Sequence, residues 1–114
     1  MANKSFSFER DINLHVKNRI TPTDATRQKN TAIEILKRLE DQPGVILADE
    51  VGMGKTFVAL AVGIAKYLND PNHRPVVVMV PPSIKQKWEA DFKTFKERCI
   101  TDIKIRNSLR CQIA

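Results

Sequence analysis

Apolar residues recur along this chain with spacings that change from segment to segment. Near the start, Phe6, Phe8, Ile12, Leu14 and Val16 all fall on even positions. That period of two reads either as a short strand over about 12–16 or as an arm that docks on another surface. Thr21-Pro22-Thr23-Asp24 is a turn signal, with Thr23 or Asp24 placed to cap a following helix. From Ala25 to Glu40, Ala32, Ile33, Ile35, Leu36 and Leu39 recur at helical spacing, and Asp41-Gln42-Pro43-Gly44 stops the helix. Val45-Ile46-Leu47-Ala48 reads as a buried strand. A second helix starts near Lys55 and carries Phe57, Val58, Leu60, Ala61, Ile64, Ala65 and Leu68, a broad apolar coverage suited to packing on a sheet. Asn69-Asp70-Pro71-Asn72-His73 breaks it.

Val76-Val77-Val78-Met79-Val80 is a continuous, mainly β-branched run, the pattern of a strand buried on both faces. Pro81-Pro82-Ser83 ends it, and Ser83 is placed to cap a third helix over about 84–98, with Trp88, Phe92 and Phe95 on one side. A last strand is predicted at Ile103-Lys104-Ile105. The order, a helix and then strand–helix–strand–helix–strand, predicts a parallel three-layer α/β domain.

Between the strand at 45–48 and its helix lies Asp49-Glu50-Val51-Gly52-Met53-Gly54-Lys55-Thr56. A glycine-rich turn ending in Gly-Lys-Thr at that place is a phosphate cradle. Its glycines let backbone N–H groups converge on phosphates, Lys55 reaches the β/γ oxygens, and the Thr56 hydroxyl can ligate Mg²⁺. The strict phosphate-loop pattern has Gly six residues before the lysine, and Asp49 stands there instead.

Composition adds limits. The 114 residues allow one domain at most, and a 42% apolar and 28% charged make-up is that of an ordinary soluble domain. A net charge of +6 and a pI near 9.6 permit a polyanionic partner. The lysines and arginines are spread out, so a solvated basic surface explains them equally well. Neither a secretory leader nor an apolar segment of membrane-spanning length is expected. Cys99 and Cys111 are isolated thiols without ligand spacing, which suits a reduced, cytoplasmic protein, although a disulfide between them is compatible with the sequence.

Residues 49–56 resemble motif I of the Swi/Snf-type branch of superfamily 2 helicases, whose usual form is Asp-Glu-Met-Gly-Leu-Gly-Lys-Thr. Two further segments are similar to that family. Val80-Pro81-Pro82-Ser83, running into Lys87-Trp88-Glu89 and Phe92, resembles motif Ia and its helix. Thr26-Arg27-Gln28, opening an amphipathic helix, resembles the Q motif. The likeness covers roughly residues 20–98 in order and spacing, and is greatest to bacterial members carrying the Ala-Asp-Glu-Val-Gly-Met-Gly-Lys-Thr variant.

The resemblance implies a fold: α/β, a partial RecA-like P-loop NTPase lobe with a parallel sheet flanked by helices, over 25–114 and preceded by an arm at 1–24. It implies ATP and Mg²⁺ as cofactors, and a DNA-dependent ATPase that translocates on duplex DNA. Gln28 would contact adenine, and the stretch Val51, Gly52, Met53, Gly54, Lys55, Thr56 and Phe57 would hold the nucleotide. Lys55 would be the catalytic lysine, Thr56 the metal ligand, and Pro81-Pro82-Ser83 the contact to a DNA strand. Bland readings stand beside these. Gln28 can also be read as a surface residue, while Ser83 is read first as a helix cap, Trp88 as core, and Lys85, Lys87, Lys93 and Lys96 as a solvated face. His15 and His73 fall in irregular segments, where a solvated imidazole is the default. Asp49 and Glu50 precede the phosphate loop and are not a Walker B pair.

Hydrolysis also needs a carboxylate pair on a second strand and arginines on a second lobe. After Thr56 the acidic residues Glu89, Asp91, Glu97 and Asp102 are scattered, and none follows an apolar strand run. In RecA-like sheets the Walker B strand lies between the phosphate-loop and motif Ia strands, so its absence would leave both short of a neighbour. The leading expectation is the ATP-binding portion of a Swi/Snf-like motor, interrupted before Walker B and not hydrolytic alone. The alternative is a nucleotide-binding or regulatory module completed by a separate chain. An unrelated P-loop kinase or GTPase fits less well, since Asp49-Glu50 replaces the leading Gly and no Asn-Lys-x-Asp is present.

Overall fold

A computed structural model describes residues 6–16, 21–45 and 55–110. The elements are α1 (Phe8–Asp11), α2 (Pro22–Leu39), α3 (Lys55–Asn69), a 3₁₀ turn (Pro82–Ile84), α4 (Lys85–Arg98) and α5 (Ile103–Ser108). Both α2 and α4 pack on α3, which is thus the central element.

Local chemistry sets the helix ends. The Thr21 hydroxyl accepts from the Asp24 amide at 3.2 Å, and Pro22 occupies the first helical position, where its missing N–H costs nothing. The cap is therefore Thr21, upstream of the predicted Thr23 or Asp24. The first helix likewise begins at Pro22 rather than near Ala25. Past the end of α3, the Asp70 carboxylate accepts from the amides of Asn72 and Arg74 and from Arg74 Nε at 2.7 Å. The Arg74 hydrogen bond, with those amides, holds the Asp70 carboxyl below its ordinary pKa.

The α2 stripe that is buried consists of Ala25, Gln28 and Ala32, its two alanines small enough for close helix approach. From α3, Val58, Leu60, Ala61, Ile64 and Ala65 are buried, covering more than one side because two helices flank it. Phe95 of α4 is fully buried, with Cys99 and Ile100 following it into the core and Trp88 and Phe92 packed against it. Burying a side chain of that size contributes about 1.5–3 kcal/mol.

The N-terminal segment docks on this same core. Ile12 and Leu14 are buried within it. Ile12 pairs with Ile100 in an isolated antiparallel bridge, Asn13 N donates to Cys99 O at 2.7 Å, and Thr101 N donates to Asp11 O at 3.1 Å. Asp11, itself buried, accepts from the Ser7 amide and from both Nε and Nη2 of Arg10, which settles its charge inside the fold.

The predicted parallel sheet is corrected here: among the described residues there is no strand ladder, and the elements are helical. Val76–Val80 has the composition of a buried strand but, among the described residues, no strand beside it. None of its backbone groups makes a hydrogen bond within the described structure. The residue exposures alternate, Val76 47%, Val77 79%, Val78 52% and Met79 92%, so one side leans on the helices and the other is bare. Val76 rests over Gly63 of α3, where an added Cβ would lie 3.4 Å from its Cγ1. The second correction concerns 103–105, which is the start of α5. The Asp102 carboxylate caps it, accepting from Lys104 N at 2.8 Å, and the Arg106 guanidinium reaches back to Ile100 O at 2.8 Å. With no ladder to join among the described residues, a capped helical turn satisfies more backbone groups than a lone strand would. Of the predicted strand at 45–48, Val45 is irregular and the remainder lies outside the described residues.

Candidate functional site

The described part of the phosphate-loop motif is the first turn of α3. Lys55, Thr56 and Phe57 are its first three residues, each half-buried, while Val51, Gly52, Met53 and Gly54 lie outside the described residues. A helix start presents backbone N–H groups without intrahelical partners and the positive end of the helix dipole. No acidic residue occupies this turn to cancel that field.

α4 fixes the surroundings of Thr56. The ring of Phe57 stacks on Phe95 at 6.0 Å between centroids and 27° between planes. Trp88 and Phe92 extend the same packed side of α4, which supports the core reading of Trp88. This packing sets Lys87 over the start of α3. Its ammonium donates to Asp91 Oδ2 at 2.8 Å and approaches Thr56 Oγ1 at 3.5 Å, the outer edge of hydrogen-bond range. The sequence reading placed Lys87 on a solvated face and left Asp91 without a role. Their spacing of four, in phase with Trp88, Phe92 and Phe95, was the available signal.

Gln28 is only 3% exposed and sits on the buried stripe of α2, so the reading of a surface glutamine is withdrawn. Ser83 is exposed and caps nothing: it lies inside the 3₁₀ turn, and Ile84 precedes α4 with no side-chain cap bond. His15 is exposed and shares a 2.9 Å hydrogen bond with the Thr26 hydroxyl, and His73 lies against the Tyr67 ring. Cys99 is buried.

A divalent cation accompanying a nucleotide needs an oxygen ligand from the protein and takes the rest from phosphates and water. Thr56 offers a hydroxyl oxygen at the start of α3, and the Lys87 ammonium that approaches it at 3.5 Å would have to swing away before a second cation could bind there. Among the described residues no cluster of His, Cys, Asp or Glu could hold a metal by itself.

A profile of the SNF2-related domain matches residues 27–110, a span that takes in most of α2, the phosphate-loop motif, α3, α4 and α5. The chain belongs to the SNF2-related family. An ATP-dependent helicase of Mycoplasma pneumoniae is 30% identical to this SNF2-related chain over 74 residues, 64% of the chain and 7% of the relative. The ATP-dependent helicase rhp16 of Schizosaccharomyces pombe is 35% identical over 68 residues, 58% of the chain and 7% of the relative. The helicase swr1 of the same yeast is 40% identical over 50 residues, 44% of the chain and 4% of the relative. The SNF2-related chain thus spans less than a tenth of the length of these relatives. No solved structure matches it. Among the described residues, no helix is long and apolar enough to cross a membrane.

Proposed function

We propose that this chain is the ATP-binding portion of a Swi/Snf-like DNA translocase, taking up Mg-ATP at residues 51–57 with adenine read by Gln28. The observation that carries the reading is the Gly-x-Gly-Lys-Thr motif at the start of α3, inside the span that matches the SNF2-related domain. Lys55 supplies the charge that reaches the β/γ oxygens, Thr56 Oγ1 supplies the protein's oxygen to the accompanying Mg²⁺, and backbone N–H groups of the loop and helix start hold the phosphates. In the assembled motor, the turn around Pro81-Pro82-Ser83 meets a DNA strand. Turnover needs a carboxylate pair and arginines that these 114 residues do not carry in the required setting, so the chain binds without hydrolysing.

The test is calorimetric titration of the chain with Mg-ATP. Saturable binding is expected, weakened about ten- to a hundred-fold in Lys55→Ala by loss of a charged hydrogen-bond donor. Absence of binding in the parent chain, or equal binding in the variant, overturns the reading. A second reading, a module completed by a separate chain, is favoured by the bare Val76–Met79 run. Phosphate release that appears only when a chain bearing the missing carboxylates is added would support it, and none at any ratio would count against it.

A further inference from the structure

We propose that Lys87 is a second phosphate-binding lysine of this site, delivered by α4 and restrained by Asp91. The inference rests on the nucleotide-binding reading above and adds a residue that the phosphate-loop motif does not contain.

The placement of Lys87 is not incidental to α4's surface. The Phe57–Phe95 stack ties the residue after Thr56 to the α4 core, with Trp88 and Phe92 on the same packed side. One helical turn separates Lys87 from Asp91 and another separates Asp91 from Phe95, so the ion pair stands directly beyond that anchor. Its ammonium is 3.5 Å from Thr56 Oγ1 and 2.8 Å from Asp91 Oδ2. An ammonium has three donors, and these contacts use two. The Lys87 side chain is 63% exposed, so its head can shift toward an incoming group without leaving a buried pocket. A polyphosphate at the start of α3 would bring several negative oxygens to the place where this cation already stands. It would also meet the positive end of the helix dipole there.

Asp91 gives the proposal opposite signs at two positions. Its carboxylate, 22% exposed, holds the ammonium back and cancels part of its charge. Removing the lysine should therefore weaken phosphate binding, while neutralising the aspartate should strengthen it. A plain surface ion pair on one helix predicts neither effect, only a slight loss of helix stability from both changes.

The experiment is titration of the chain with Mg-ATP, read by heat and by fluorescence of Trp88, the neighbour of Lys87 and the chain's one tryptophan. Lys87→Gln should bind about five-fold more weakly, the scale of one exposed charge interaction. Lys87→Arg should restore most of the affinity, and Asp91→Asn should bind about two-fold more tightly. The differences should narrow at high ionic strength. Far-UV circular dichroism of each variant checks that α4 remains folded. If Lys55→Ala loses binding while Lys87→Gln and Asp91→Asn match the parent, the nucleotide reading stands and this inference is overturned. Equal weakening in Lys87→Gln and Asp91→Asn also overturns it, marking the pair as structural. If the parent chain binds no nucleotide, both readings fall together.

Discussion

Gln28 shows how one residue can satisfy two demands. As the glutamine of a Q-motif-like segment it is proposed to meet adenine, yet it lies on the inner stripe of α2 between Ala25 and Ala32. A buried amide is retained for its hydrogen bonds, and removing them leaves partners unsatisfied. Gln28→Leu keeps the bulk and removes the polar groups. The expected result is a loss of about 1–3 kcal/mol in urea unfolding, with a reduced preference for ATP over GTP. A change in preference at unchanged stability would mean that the side chain serves the base alone. An exposed glutamine and a buried one look identical in sequence. What the sequence did offer was the spacing of 25, 28 and 32, a helical stripe whose middle member is polar.

At the scale of elements, the three long helices were legible because their apolar periodicity is strong, and the stops of α2 and α3 are rich in Pro, Asn and Asp. Their ends were less so. Thr21, Thr23 and Asp24 are all capping residues, and Pro22 decides among them because it is best accommodated in the first helical position. Thr21→Ala should destabilise the chain by about 1 kcal/mol, with Thr21→Ser close to the parent, read from urea midpoints. Ser83 was expected to cap α4, but the preceding prolines turn the chain through a 3₁₀ step and leave its side chain outside. Ile103-Lys104-Ile105 has the alternation of a strand, and the competing signal was Asp102 just before it. An aspartate with two amides ahead of it outweighs alternation in a segment that has no strand to pair with among the described residues.

For the whole molecule, the sheet was the part that sequence misplaced, and the reason is non-local. β-Propensity records fit to a pleated surface beside other strands, not an intrinsic choice of the backbone. Val76–Val80 carries that propensity, but the described structure offers it helices on one side only. Together with Tyr67, Trp88 and Phe92 the run lines a groove of about 1030 Å³. Exposed apolar β-branched segments with unsatisfied backbone groups promote self-association. Val77→Lys should raise the concentration at which light scattering begins, with a stability change within about 0.5 kcal/mol because Val77 is already 79% exposed. Unchanged scattering would place the association surface elsewhere. The candidate site, by contrast, was legible in its motif but not in its surroundings. Lys55 and Thr56 announce themselves, whereas Lys87 becomes part of the picture only once Phe57 and Phe95 are seen to stack.

The seam between the first and last thirds of the chain also orders events in time. The Thr101 hydroxyl bonds the carbonyl of Arg10 across 91 residues, beside the Asn13–Cys99 and Thr101–Asp11 backbone bonds. A ribosome releases Ile12 and Leu14 long before Cys99 and Ile100 exist to cover them. Closing so long a loop is slow compared with forming the helices within it. Of the two segments, the one synthesised earlier therefore waits for the later one, and until then its apolar side chains stand open to whatever chaperone or neighbour is at hand.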